Sequence, residues 1–283
     1  MLGAIVGDIV GSKYEFNNLK SKEFVLFDED NHFTDDTVMT LAVYKSLKRC
    51  KGDYRNLPIV TIKTMQELAN HFPEVGYGEK FQEWLNAIEP KPYNSWGNGA
   101  AMRVSPVAYF ANSLEEVKYL SRKVTAISHN HPQAIKGAEA VASAIFLARQ
   151  GKSKEELKTF VEEYYYPLDF DYEDLKSNYK FHVSCKNTVP QAFFCFFESE
   201  NFEDAIRTAI SIGGDSDTIA AIVGSLAEAY YGIPKEIETT AKQYLDLELL
   251  TTYENCDRLL EVEDSLFQDS KSKRHFEQQE KSL

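Results

Sequence analysis

Two short acidic stretches set the terms for any fold this chain can adopt. Phe33-Thr34-Asp35-Asp36-Thr37 precedes an apolar run from Val38 to Leu47, and Gly213-Gly214-Asp215-Ser216-Asp217-Thr218 precedes another from Ile219 to Tyr231. Aspartate and threonine directly ahead of an apolar helical run read as helix N-termini, where they cap free backbone N–H groups and suit the positive end of the helix dipole. Capping needs one side-chain oxygen per helix, whereas Asp35, Asp36, Asp215 and Asp217 bring four carboxylates. The glycines before Asp215 let the backbone turn tightly there. If the two stretches converge, burying that charge unpaired costs several kcal/mol per ion, and a hard divalent cation removes the conflict. Carboxylate and threonine oxygens, with no Cys or His in either stretch, favour Mg²⁺, Mn²⁺ or Ca²⁺ over zinc.

The rest of the chain is patterned for helices. Val117, Leu120, Val124 and Ile127 share a face, as do Ala138, Val141, Ala142, Ile145 and Phe146; Phe202, Ala205, Ile206 and Ala209, and Ile219, Ile222, Val223, Leu226 and Tyr230, repeat the pattern. Phe24-Val25-Leu26-Phe27 suits a strand, but it is too isolated to define a sheet. Glu89-Pro90-Lys91-Pro92 and Tyr166-Pro167 mark loops, and Gly232-Ile233-Pro234 ends the last strong helix. Near the N-terminus Gly3, Gly7 and Gly11 fall four apart, a smooth stripe on which a neighbouring helix can pack closely.

The expected class is therefore all-α. A chain of 283 residues that is 43% apolar suits one globular core, and no fixed-period repeat or Gly/Ser linker divides it. From about Asp264 the sequence turns rich in Lys, Glu, Gln and Ser, so the expected domain is 1–263 with a charged, frayed tail at 264–283. A net charge of −13 argues against a stable nucleic-acid complex, which needs clustered Lys and Arg, although a nucleic-acid end could serve as a substrate. Cys50, Cys185, Cys195 and Cys256 are scattered and suit reduced thiols. Met1 to Asp8 carries no basic leader, and Asp8 interrupts an apolar run too short to span a bilayer. A cytoplasmic monomer with no membrane partner is the expectation.

Two central stretches add chemistry. Ser95-Trp96-Gly97-Asn98-Gly99-Ala100-Ala101-Met102-Arg103 is a small-residue loop at a helix start, able to approach a phosphate or simply to turn. Ser128-His129-Asn130-His131-Pro132 precedes a helix from Gln133, and two histidines two residues apart cannot share a helical face. Glu15, in the polar exit from the first helix, is unremarkable alone.

Taken in order, Gly3-Ala4-Ile5-Val6-Gly7-Asp8 with Tyr14-Glu15, the two acidic stretches, Gly97 to Arg103 and Ser128-His129 resemble the ADP-ribosylglycohydrolase family, the group that includes dinitrogenase reductase-activating glycohydrolase. The resemblance implies a single compact orthogonal helical bundle holding two Mg²⁺ ions, with Mn²⁺ as a substitute. It implies cleavage of the bond between the distal ribose of ADP-ribose and a modified protein, nucleic acid or small molecule, with ADP-ribose as product. By that similarity Thr34, Asp35 and Asp36 ligate one metal, Asp215 and Thr218 the other, and Asp217 bridges them. Glu15 and Asp35 are the expected catalytic residues; Gly97, Asn98, Gly99 and Ala100 would line the phosphate and ribose subsites, and His129 would reach the diphosphate or the adjoining ribose. His131, Tyr164-Tyr165-Tyr166 and Phe193 to Phe197 vary across the family and could shape a leaving-group pocket, although core burial is the simpler role for Phe193 to Phe197. Two other readings stay open: a Mg²⁺-dependent phosphohydrolase of a nucleotide or ADP-ribose derivative, and a non-catalytic ADP-ribose binder. The linkage cleaved is not written in these motifs.

Overall fold

Helical periodicity dictates the architecture. The computed structural model describes residues 1–254 and holds fourteen α-helices, with no strand among the described residues. In chain order they are α1 (Leu2–Gly11), α2 (Asp35–Cys50), α3 (Leu57–His71), α4 (Glu79–Asn86), α5 (Gly99–Met102), α6 (Val107–Phe110), α7 (Leu114–Thr125), α8 (Pro132–Arg149), α9 (Lys154–Tyr164), α10 (Tyr172–Asn178), α11 (Cys185–Glu198), α12 (Phe202–Ser211), α13 (Ser216–Tyr231) and α14 (Lys235–Lys242). The chain divides into two units, Met1–Leu245 and Asp246–Leu283. Of the second, only residues 246–254 are described, so the expected boundary at 263 and the tail at 264–283 lie outside the described residues.

The first unit carries every helix named above. The faces expected from periodicity are the buried ones: Val117, Leu120 and Val124 on α7, Ala138, Val141, Ala142, Ile145 and Phe146 on α8, and Phe202, Ala205, Ile206 and Ala209 on α12. Helix α13 is buried at every position from Ser216 to Ala227, and α1 along its whole length. Gly232, at φ 77°, ends α13 in a backbone region that side chains rarely adopt. Residues 24–27 form no strand. Phe193, Phe194 and Phe196 are core residues, with Phe196 against the Tyr230 and Tyr231 rings, whereas Tyr164 is exposed beside buried Tyr165 and Tyr166. Among the described residues no helix is long and apolar enough to cross a membrane.

The glycine stripe is what places the two acidic stretches together. A Cβ at Gly3 would lie 2.1 Å from the Gly224 carbonyl oxygen, one at Gly7 1.9 Å from that of Ala220, and one at Gly11 2.5 Å from the Asp217 Cα. Helices α1 and α13 therefore touch backbone to backbone, and Gly224 answers Gly3 from the other side at 2.0 Å. Asp8, between two of these glycines, is carried to the start of α13, and the same close contact leaves it fully buried.

Candidate active site

At the start of α2, Thr34 is the N-cap, accepting from the Asp36 amide at 3.3 Å. Most of the capping comes from another helix. Asp8 Oδ2 accepts from the Thr34 and Thr37 amides at 2.9 and 3.0 Å, and its Oδ1 accepts from the Thr34 hydroxyl at 2.7 Å. Capping thus accounts for Thr34 and Asp8 and leaves the Asp35 and Asp36 carboxylates to another purpose. Asp36 Oδ2 accepts from the Thr218 hydroxyl at 3.2 Å, which joins the two acidic stretches directly. Its other oxygen is buried with no hydrogen-bond partner.

Asp215, the N-cap of α13, makes no capping bond; its Oδ2 accepts instead from the Asn98 side-chain amide at 2.7 Å. Asp217 accepts from the Thr218 amide at 2.8 Å. Two groups of carboxylates result, Asp8 with Asp36 and Asp217, and Glu15 with Asp215 and Asp217, each with one oxygen per residue lying mutually within 4.8 Å. Asp217 belongs to both. Asp35 lies outside both groups, although its charge is felt by Asp36 and Asp215.

Glu15 reaches this cluster because one side chain ties down its segment. Asn18 Nδ2 donates to the carbonyls of Tyr14, Glu15 and Gly214 at 2.7, 3.0 and 2.8 Å, while its Oδ1 accepts from the Gly214 amide at 2.7 Å. The turn that receives it needs both glycines. Gly213 and Gly214 have φ of 67° and 85°, and a Cβ on Gly214 would lie 2.3 Å from the Tyr179 ring.

Charge is the defining property of the site. Burial first, then the neighbouring carboxylates, raises Asp35, Asp36 and Asp217 well above the usual carboxylate range. Burial, and then the charges of Asp217 and Asp8, lifts Glu15 to about 8; burial lifts Asp215 to about 6 and raises Asp8. Ionising all six so close together, four of them buried, is unfavourable until positive charge joins them. The unsatisfied Asp36 oxygen, the all-oxygen donor set and the shared Asp217 fit divalent cations of the hard type.

A stability prediction follows from the sign of these shifts. Carboxyls raised in the folded state stabilise it fully below their unfolded values near 4, and that contribution is lost as pH rises through about 6 for Asp215 and about 8 for Glu15. In EDTA the melting temperature is expected to fall between about pH 5 and pH 8. Added Mg²⁺ binds the ionised forms and should raise it most at the alkaline end. A flat profile in EDTA, or a Mg²⁺ increment independent of pH, would count against this charge cluster as a cation site.

The Gly97–Ala100 loop adjoins the second carboxylate group through Asn98, whose side chain also donates to the Thr188 hydroxyl at 3.2 Å. The Asn98 and Ala100 amides are engaged by the carbonyls of Val183 and Gly97. His129 is buried beneath this loop: a Cβ on Gly97 or Gly99 would lie 3.3 Å from its Nε2. His131 has a structural task, capping α8 by accepting from the Gln133 amide at 3.1 Å. The fold thus brings Glu15, Thr34, Asp35, Asp36, Asn98, Asp215, Asp217 and Thr218 together and sets His129 against Gly97 and Gly99, while Asp8 and Asn18 join the cluster without having been assigned a role from sequence. A charged residue inside an otherwise apolar helix was the available signal for Asp8. Asn18 carries no such mark.

The chain is similar to several known proteins along most of its length. The sequence profile of one family, ADP-ribosylglycohydrolase, matches residues 1–275. The chain is 28% identical to the ADP-ribosylhydrolase ARH3 of Mus musculus, covering 84% of each chain. It is 26% identical to the ADP-ribosylarginine hydrolase Tri1 of Pseudomonas putida, covering 85% of this chain and 73% of that one. A solved structure described as an ADP-ribosylglycohydrolase-related protein complex superposes with a TM-score of 0.65 at 23% identity, covering 89% of this chain and 93% of its own, and shares the fold.

Proposed function

The chain belongs to the ADP-ribosylglycohydrolase family, and from that premise we propose that it hydrolyses the glycosidic bond between the distal ribose of ADP-ribose and a modified target, with two Mg²⁺ ions as cofactors. The observation that carries the proposal is the sharing of Asp217 between two three-carboxylate groups, one of them fully buried. Thr34, Asp35 and Asp36 would hold one cation, Asp215 and Thr218 the other, and Asp217 both, with Mn²⁺ able to substitute. When bound, paired cations supply Lewis-acid attraction for the vicinal ribose hydroxyls and orient a water.

The chain's own residues do the rest. Asp8 holds Thr34 and the first turn of α2 in place through three hydrogen bonds, and Asn98 orients Asp215. Breaking the bond builds oxocarbenium character at the anomeric carbon, which negative charge around the distal ribose favours. Glu15 stands at the edge of the second group, half-buried and less committed than the aspartates, so it is the residue assigned to carry a proton to or from the reacting oxygen. His129 and the Gly97–Gly99 loop would meet the diphosphate or the adjoining ribose.

The test is a substrate panel: arginine-linked and serine-linked ADP-ribosylated proteins and ADP-ribosylated DNA, incubated with Mg²⁺ or EDTA and resolved by mass spectrometry. Metal-dependent release of intact ADP-ribose from one member is the expected result and names the linkage. Release of phosphate or AMP would replace the proposal with phosphohydrolysis. Binding of ADP-ribose with every substrate left intact would reduce the chain to a reader.

A further inference from the structure

Among the described residues Arg103 is the largest fully buried side chain, and no carboxylate there forms an ion pair with it. Its guanidinium lies over the Phe81 ring, 5.0 Å from the centroid. Its Nη2 donates to the Ser128 hydroxyl at 2.8 Å and stands 3.3 Å from His129 Nδ1, while the Ser128 oxygen is itself 2.9 Å from the same nitrogen. A buried cation without a partner carboxylate is unfavourable, so this placement calls for a function.

The chemistry of the donors favours one protonation state of the ring. Guanidinium only donates, so Nδ1 must accept from it. Ser128, having accepted from Arg103, still has its own proton and can turn it to the same nitrogen, whose one lone pair the two donors then share. A hydrogen on Nδ1 would face the Arg103 N–H, which cannot accept it, and Ser128 would have to accept twice. Turning the ring over would set a C–H against the same two groups, and the Phe81 and Tyr93 rings, edge-on at 5.9 and 5.8 Å, confine it. We propose that Arg103 and Ser128 are positioning residues that hold His129 as the neutral imidazole protonated on Nε2, making it a permanent hydrogen-bond donor beneath the Gly97–Gly99 loop.

The glycines belong to the same device. A Cβ at Gly97 or Gly99 would lie 3.3 Å from Nε2, so with glycine at both positions no side chain of the loop crowds the donor. Burial, and then the Arg103 charge, holds the His129 imidazolium well below its ordinary range, in line with a ring that never becomes charged. Arg103 and Tyr93 are the ionisable groups that face the ring. The recipient of the bond is an oxygen of phosphate or ribose; that identification alone rests on the proposed function. His129 on this account neither supplies positive charge to an anion nor moves a proton.

The wild-type protein labelled with ¹⁵N-histidine provides the test, with His129→Gln used to identify the signals. Two-bond ¹H–¹⁵N correlation should show a bare, accepting Nδ1 and a protonated Nε2, unchanged from about pH 7.5 to about pH 5.5 where ordinary histidines titrate. A proton on Nδ1, or titration in that window, overturns the proposal. Ser128→Ala and Arg103→Met should each admit the second tautomer or restore titration. ADP-ribose affinity should fall roughly tenfold in Arg103→Met, the worth of one charge-independent hydrogen bond. If Arg103→Met does not fold, the wild-type and Ser128→Ala spectra still distinguish the two tautomers. ADP-ribose added to the wild type should shift the Nε2 signal; the expected tautomer with no such shift would remove the ADP-ribose reading and leave the positioning role standing.

Discussion

Asp217→Asn is expected to lower turnover by about 10³-fold or more and, at the same time, to make the protein more stable in EDTA at pH 8. The activity loss follows from its place in both carboxylate groups. Removing its charge weakens two cation positions at once, and the charge stabilisation at such a site is worth several kcal/mol, each 1.4 of which is about tenfold in rate. The stability gain has the same origin. Burial and the neighbouring Asp215 and Asp8 charges raise Asp217 well above the ordinary carboxylate range, so its ionisation works against the fold unless a cation is bound. Asparagine keeps an oxygen to accept from the Thr218 amide and removes the charge.

These opposite effects separate function from structure. A residue present only to cap α13 would go on capping as asparagine, which caps about as well as aspartate, and the melting temperature would stay near that of the wild type in EDTA and in Mg²⁺ alike. A cation-binding residue should instead give a higher melting temperature in EDTA and a greatly reduced Mg²⁺ increment. Calorimetry of both proteins with and without Mg²⁺, beside the turnover assay, distinguishes the two. Full turnover together with a wild-type Mg²⁺ increment would sink the two-cation account.

What could be read from the sequence is what short-range physics encodes. Helix faces follow from apolar spacing, and the starts of α2 and α13 follow from acidic and hydroxyl residues ahead of apolar runs, so the all-α class and both halves of the cluster were legible in the chain itself. The packing use of Gly3, Gly7 and Gly11 was visible too, because three glycines on one helical face have few other purposes. Their partner was not, since nothing local says that α1 meets α13. The supporting residues were hidden for the same reason. Asp8 acts on amides 26 and 29 positions away, Asn18 on a turn 196 away, and Asn98 on Asp215 across 117 positions. Arg103 stood within a motif that sequence alone assigned to a loop, yet its work is done on a histidine in a different segment. Sequence motifs revealed the carboxylates that form the cluster, and the fold was needed to reveal the residues that hold them in place.

Gly7→Ala tests the contact on which that convergence depends. In an isolated helix the change would be favourable, by about 1 kcal/mol, because alanine is the better helix former. Here the added Cβ would sit 1.9 Å from the Ala220 carbonyl oxygen and 2.2 Å from its carbon. Both are backbone atoms of a buried helix, so no rotamer change relieves the clash and α1 must move away from α13. Overpacking of this kind typically costs about 1–3 kcal/mol and more where backbone must shift, out of a total stability of about 5–15 kcal/mol. The expected result is a melting temperature lower by roughly 10 °C or more for a domain of this size. Turnover should fall further than the unfolded fraction explains, since the displaced helix carries Asp8 and the capped helix start that depends on it. Gly78→Ala, where an added Cβ meets nothing within 4 Å, should leave turnover unchanged and lower the melting temperature far less, by only the small preference for glycine at the N-cap of α4. A Gly7→Ala protein with wild-type melting and turnover would show that α1 and α13 tolerate separation, and the convergence of the acidic cluster would need another cause.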